Sequence, residues 1–305
     1  MEALTSENMA QLADPGQPLS ISRLAELANL DSADLKLVEQ VWAQIATKRR
    51  RQIVHRLAEL VEDNLELNFD SIFKLCLNDP DEEVRRQAIE GLWEDEEASL
   101  IGTLIDLLEQ DSSETVQAQA AMALGKFAML GEENKLRSCH TARLCQALLA
   151  TLDDKNRSIN VRCRALEAAA PLSLPEIESA IKEAYQSNHP ELKISAIYAM
   201  GKNCNPSWLP ILFKEMSSPD AEIRYEAAGA CGELEDEATV PHLIILTADP
   251  DSEVQMAAIG ALGNIGGSEA IIGLEQCRSD PNTAIQQAAE EALHQIELET
   301  DSLPF

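Results

Sequence analysis

Residues 249–265 read DPDSEVQMAAIGALGNI. The stretch opens with the turn signal Asp249-Pro250-Asp251 and continues as a helix that carries Val254, Ala258, Ala261, Leu262 and Ile265 on one face. Thirty-one residues earlier the chain reads SPDAEIRYEAAGACGEL, and 31 residues later DPNTAIQQAAEEALHQI. A unit that returns at a fixed period means that the chain stacks copies of one supersecondary element.

Outward from this stretch, the helix-opening apolar residues are Val84, Val116, Val161, Leu192, Ile223, Val254 and Ile285, spaced by 32, 45, 31, 31, 31 and 31. An alanine stands four residues after each: Ala88, Ala120, Ala165, Ala196, Ala227, Ala258 and Ala289. Nine residues after the opening, Gly125, Gly201, Gly232 and Gly263 recur, with Trp93, Ala170 and His294 in the other copies. A shorter apolar segment precedes each such helix, as in Leu209–Met216 and Val240–Thr247, so the unit is helix, tight turn, helix. The long spacing reflects an insertion over Leu130–Arg143, polar enough to be expected as a surface loop. These positions predict a loosely docked or disordered arm over 1–19 and a helical cap or degenerate repeat over 20–65. A repeat solenoid is expected over 66–299 and a loose tail over 300–305.

The segment DPDSEVQMAAIGALGNIGGSEAIIGLEQCRSD resembles a HEAT repeat of the short bacterial type named after phycobilisome lyases. The Asp-Pro-Asp turn, the Val or Ile followed by Arg or Gln, the alanine and the Ala-Leu-Gly ending carry the resemblance, which spans roughly residues 66–298. It implies an all-α, right-handed solenoid of two helices per repeat, with a concave face made by the second helices. It implies no single activity, because the repeat is a scaffold put to many uses.

At 100° per residue, positions 0, +4, +7, +8 and +11 of each second helix share one face and form the expected inter-helix core. Position +1 reads Arg85, Gln117, Arg162, Lys193, Arg224, Gln255 and Gln286, all hydrogen-bond donors, and predicts a ladder to turn carboxylates or carbonyls such as Asp220 or Asp251. Positions +2, +6 and +9 point toward the expected concave surface. They supply a strip of Met122, Ile194, Tyr198, Gly201, Tyr225, Gly229, Met256 and Gly260, with Trp93 in the same columns. Two readings stand for this strip: a groove for a partner, or the packing of facing second helices. Lys48, Arg49, Arg50 and Arg51 form the basic cluster, read either as a solvated helix start or as a contact for an acidic partner.

The net charge of −29 argues against binding nucleic acid or anionic lipid, and favours a monomer or a weakly associating chain. From Glu226 to the end there are 16 acids and one base, Arg278, which would attract a basic partner. The seven cysteines form no Cys-x-x-Cys pair and suit a reducing compartment; with no signal-peptide pattern at the start, a cytoplasmic protein is expected. No His-Glu dipeptide occurs, which disfavours the di-iron chemistry of the deoxyhypusine hydroxylases, and the basic groove of the HEAT-fold alkylpurine glycosylases is missing. No metal, cofactor or catalytic set is expected. The reading is a non-enzymatic scaffold that binds a protein partner along the concave face. The alternative implied by the resemblance is a phycobilin lyase or a chaperone-like subunit handling a tetrapyrrole or its carrier.

Overall fold

The computed structural model describes residues 5–64 and 66–302. It is an all-α solenoid of paired helices, with no strand among the described residues. The chain forms two compact units that divide between Phe127 and Ala128.

The first unit holds α1 (Ser6–Ala13), α2 (Ile21–Ala25), α3 (Ser32–Trp42), α4 (Thr47–Asp63), α5 (Asp70–Cys76), α6 (Glu82–Gly91) and α7 (Leu100–Gln110), and α8 (Glu114–Glu132) begins in it. Its core gathers Met9, Leu12, Leu24, Ile53, Leu57, Phe69, Ile72 and Phe73, all essentially inaccessible. Phe69 and Phe73 meet edge to face at 6.4 Å. Gly91 lets the Phe73 ring sit against the backbone, since a Cβ there would lie 2.5 Å from the ring.

The arm expected to be loose over 1–19 is folded where it is described. Thr5 caps α1, and Met9 and Leu12 are buried. The reason is Arg49, whose Nε donates to the Leu12 carbonyl at 2.8 Å and whose Nη2 donates to that of Gln17 at 2.9 Å. A polar, Pro-interrupted segment gains order from backbone carbonyls it offers to a buried guanidinium, which composition does not reveal. Residues 1–4 lie outside the described residues.

The second unit continues α8 and adds α9 (Ser138–Asp153), α10 (Ile159–Ala169), α11 (Pro175–Tyr185), α12 (Pro190–Lys202), α13 (Leu209–Glu215), α14 (Ala221–Leu234), α15 (Val240–Leu246), α16 (Ser252–Ile265), α17 (Gly267–Cys277) and α18 (Thr283–Ser302). The second helices α12, α14, α16 and α18 stack in order, each against the next. The +4 alanines from Ala165 to Ala289 are fully inaccessible, so the column forms the seam between neighbours. Aspartates start these helices: Asp220 accepts the Glu222 N–H at 3.0 Å, and Asp251 accepts that of Glu253 at 2.9 Å. Their ends recur in register too, with positive φ at Cys204 (51°), Glu235 (51°) and Gly266 (66°).

The insertion over 130–143 is mostly helix rather than loop. It lengthens α8 to Glu132 and opens α9 at Ser138, leaving a short link. Leu130 is buried, and this apolar anchor carries the extra turn. Likewise α18 runs past Thr300 to Ser302, so part of the expected tail is helical; residues 303–305 lie outside the described residues. Among the described residues no helix is long and apolar enough to cross a membrane, and no group of His, Cys, Asp and Glu could hold a metal ion.

Candidate partner-binding face

Three of the +9 glycines are packing residues. A Cβ on Gly201 would lie 2.7 Å from Ala230 Cα, one on Gly232 would lie 2.8 Å from Ala261 Cα, and one on Gly263 would lie 2.9 Å from Ala292 Cβ. Each glycine therefore seats the +7 alanine of the next second helix, and backbone meets backbone. Gly201 is buried and is not part of an open strip, contrary to the helical-wheel expectation. The wheel puts +9 opposite the core face, but the next second helix approaches closely enough to bury that side as well.

The +6 glycines behave oppositely. A Cβ on Gly229 or Gly260 would meet nothing within 4 Å, and both positions are exposed. Beside them stand Tyr198 at 38% exposure, Tyr225 at 42% and Met256 at 38%. Ile194 is half-buried. Together α12, α14 and α16 form a groove of about 300 Å³, lined among others by Tyr198, Tyr225, Glu226, Gly229 and Gly260. Lys202 marks its rim, paired with Glu233 at 2.6 Å and lying 5.8 Å from the Tyr198 ring centre.

Glu226 gives this groove its electrostatic character. Burial, then the nearby charges of Glu167 and Glu222, push its carboxyl up to about 7, against the opposing pull of Arg164. No hydrogen bond or ion pair engages Glu226 among the described residues. Its neighbour Glu167, also raised by burial, accepts from Ser195 Oγ at 2.6 Å and pairs with Arg164 at 2.5 Å. Burial likewise raises the Tyr198 phenol. Position +3, which supplies Arg164, Ser195 and Glu226, escaped the sequence reading because no single repeat marks it as unusual. Only stacking brings an acid of one copy beside an acid of another.

Trp93 (61% exposed) and Met122 (50%) belong to the first unit, where Trp93 lines a separate cavity of about 590 Å³ with His55, Glu59, Arg86 and Glu90.

Two members of the basic cluster are buried, while Lys48 and Arg51 are exposed. Arg49 and Arg50 are each 5% exposed. Arg50 lies 2.8 Å from Asp79 and donates to the Ile45 carbonyl at 2.6 Å, while Arg51 forks onto Asp81 at 2.8 and 2.6 Å. Neither a solvated helix start nor a free partner contact describes Arg49 and Arg50.

Among the +1 donors Arg85, Lys193 and Arg224 reach the following repeat, at a register different from the one expected, whereas Gln117, Arg162 and Gln286 bond carbonyls that precede their own helices. Arg85 forks onto Asp111 with both contacts at 2.7 Å, and Arg224 onto Asp249 with both at 2.8 Å. Asp220 and Asp251 serve as helix caps instead. Gln117 and Gln286 donate to the Asp111 and Asp280 carbonyls at 2.6 and 2.7 Å. Lys193 pairs with Glu215 at 2.9 Å, and Arg162 donates to the Leu152 carbonyl at 2.7 Å. Arg224 holds the Asp249 carboxyl below its ordinary range.

All seven cysteines are free, with Cys139 and Cys204 exposed. Burial raises the thiols of Cys76 and Cys231, the latter to about 12, which keeps them protonated and unreactive.

The family described as HEAT repeats matches residues 69–159 and 209–294, more than half of the chain. The chain belongs to the HEAT-repeat family. Among solved structures it is similar to the complex of CpcE and CpcF of phycocyanin lyase from a Nostoc species, at 17% identity over 75% of this chain and 94% of that one, with a TM-score of 0.51. It is also similar to human deoxyhypusine hydroxylase in complex with glycerol, at 17% identity over 96% and 95% of the two chains, with a TM-score of 0.36. An engineered protein matches at 19% identity over 96% and 89%, with a TM-score of 0.44. At these identities the likeness is one of fold alone. The search of curated proteins finds no significant match.

Proposed function

We propose that this HEAT-repeat chain is a protein-interaction scaffold, and that the groove across α12, α14 and α16 takes a basic segment of a partner. The observation that carries this reading is Glu226, a half-buried carboxyl with no hydrogen bond or ion pair of its own among the described residues, in an open groove whose lysine, Lys202, is engaged by Glu233. Holding a charge away from water without a partner is costly, and an arriving lysine or arginine removes that cost. Exposed Tyr198 and Tyr225 line the same groove and can pack on the methylene stem of that cation. Gly229 and Gly260 leave the backbone approachable, so an extended or helical segment can lie close. The acidic excess from Glu226 onward would steer basic partners in and repel acidic ones.

The test adds positive charge to the groove. Tyr198→Lys and Met256→Lys leave the core untouched, and like-charge repulsion should lower affinity for a labelled Arg/Lys-containing helical peptide by about tenfold or more. Unchanged affinity in both variants would remove the groove from the account. Added phycocyanobilin should leave the visible spectrum unshifted; a new bound-chromophore band would favour tetrapyrrole handling instead. The free thiols support a reducing compartment for this activity.

A further inference from the structure

Three arginines of the chain make one recurring contact. Arg50 meets Asp79, Arg85 meets Asp111 and Arg224 meets Asp249, in each case reaching the aspartate of the following turn. That aspartate has two jobs. One oxygen accepts the N–H two residues on, at 2.9 Å from Asp81, 2.8 Å from Ser113 and 2.9 Å from Asp251. The carboxylate also receives the guanidinium, a charge-assisted contact.

Arg162 occupies the same place in its own copy, and the residue in the aspartate register opposite it is Ser187. The Ser187 hydroxyl still accepts the His189 N–H, at 3.2 Å, but it brings no charge for the arginine. Lys193 faces the same deficit at Ser218, and there buried Glu215 supplies the carboxylate at 2.9 Å. Nothing replaces the aspartate for Arg162. Its Nε donates to the Leu152 carbonyl, and no carboxylate pairs with it among the described residues. The gap is a cavity of about 740 Å³ whose lining includes Arg162, Ser187, Lys155, Arg157 and His189. Asp154 holds Arg157 at 3.5 Å, while Lys155 has no ion-pair partner among the described residues. In a chain of net charge −29, three permanent cations on one cavity are a local exception.

We propose that this cavity binds a carboxylate of an acidic peptide segment, which fills for Arg162 the position that Asp111 fills for Arg85 and Asp249 for Arg224. Carboxylate is the fitting class because the fold uses that planar group wherever the contact is complete. Asp153 and Glu183 also line the cavity and would repel a phosphate dianion more than a single carboxylate. This site is separate from the Glu226 groove and selects the opposite charge.

The experiment uses the full chain and a fluorescein-labelled acetyl-Gly-Asp-Glu-Asp-Gly peptide, read by anisotropy at low salt. Saturable binding with Kd below about 1 mM is expected. Ser187→Asp completes the contact internally, so it should raise the melting temperature and weaken the peptide at least about tenfold. Arg162→Ala should weaken it equally without the thermal gain. The proposal is overturned if Ser187→Asp binds the peptide as tightly as the natural chain. Absence of saturation to about 5 mM, or displacement by inorganic phosphate at or below the peptide's own concentration, overturns it as well.

Discussion

Glu226→Gln isolates the cost that the proposed partner would relieve. The carboxyl is held at about 7, against an ordinary value of 4.5. At full weight that difference corresponds to about 3.4 kcal/mol. The group is partly open to solvent, and screening reduces the expected figure to about 1–2 kcal/mol. The sign follows from where each state holds its proton. Below 4.5 the folded and unfolded chains are both protonated at this position and no penalty exists. As pH rises, the unfolded chain ionises first, and the folded chain loses relative stability until its own group ionises near 7. Glutamine keeps the shape and removes the charge. At pH 8 the variant should melt about 2–6 °C higher than the natural chain, and at pH 4.5 the two should coincide within about 1 °C. Differential scanning calorimetry at both pH values reads this directly. Because solenoids need not melt in one step, the comparison belongs to the transition of the second unit. A variant that is destabilised at pH 8, or equally shifted at both pH values, would refute a desolvated and unpaired Glu226.

Gly232→Ala should cost about 1–3 kcal/mol in urea denaturation because its Cβ meets the Ala261 backbone, whereas Gly229→Ala, facing open space, should be neutral or stabilising by up to about 1 kcal/mol. Arg224→Ala leaves the buried Asp249 carboxylate unpaired and should cost about 2–3 kcal/mol, with affinity for an Arg/Lys peptide unchanged. Arg49→Ala removes the donors that hold the Leu12 and Gln17 carbonyls; limited proteolysis should then cut within residues 5–20 at least about tenfold faster, while α12 to α18 stay protected.

The repeat architecture was legible because it is written many times. Period, alanine seam and turn aspartates each recur, and each recurrence has one physical cause. Features that depend on where two copies meet were less so. Gly201 and Gly229 are both glycines on second helices, yet one is pressed against Ala230 and the other faces open space. A helical wheel of one copy cannot separate them, since the distinction comes from how closely the next helix approaches. Arg49 and Arg50 looked like a solvated cluster because their acceptors, the Leu12 carbonyl and Asp79, are distant in sequence. The mutual repulsion of Glu226 and Glu167 has the same origin: they lie in different copies and become neighbours only through stacking.

The central claim is that the Glu226 groove, rather than acidity in general, recognises a basic segment. The most direct measurement compares one fluorescein-labelled Arg/Lys peptide at about pH 8 against the natural chain, Glu226→Gln and Glu290→Gln, which there remove similar charge from the groove and from an exposed site on α18. The account predicts that at 150 mM salt Glu226→Gln weakens binding about tenfold and Glu290→Gln leaves it within about twofold. Equal losses in the two variants would contradict it.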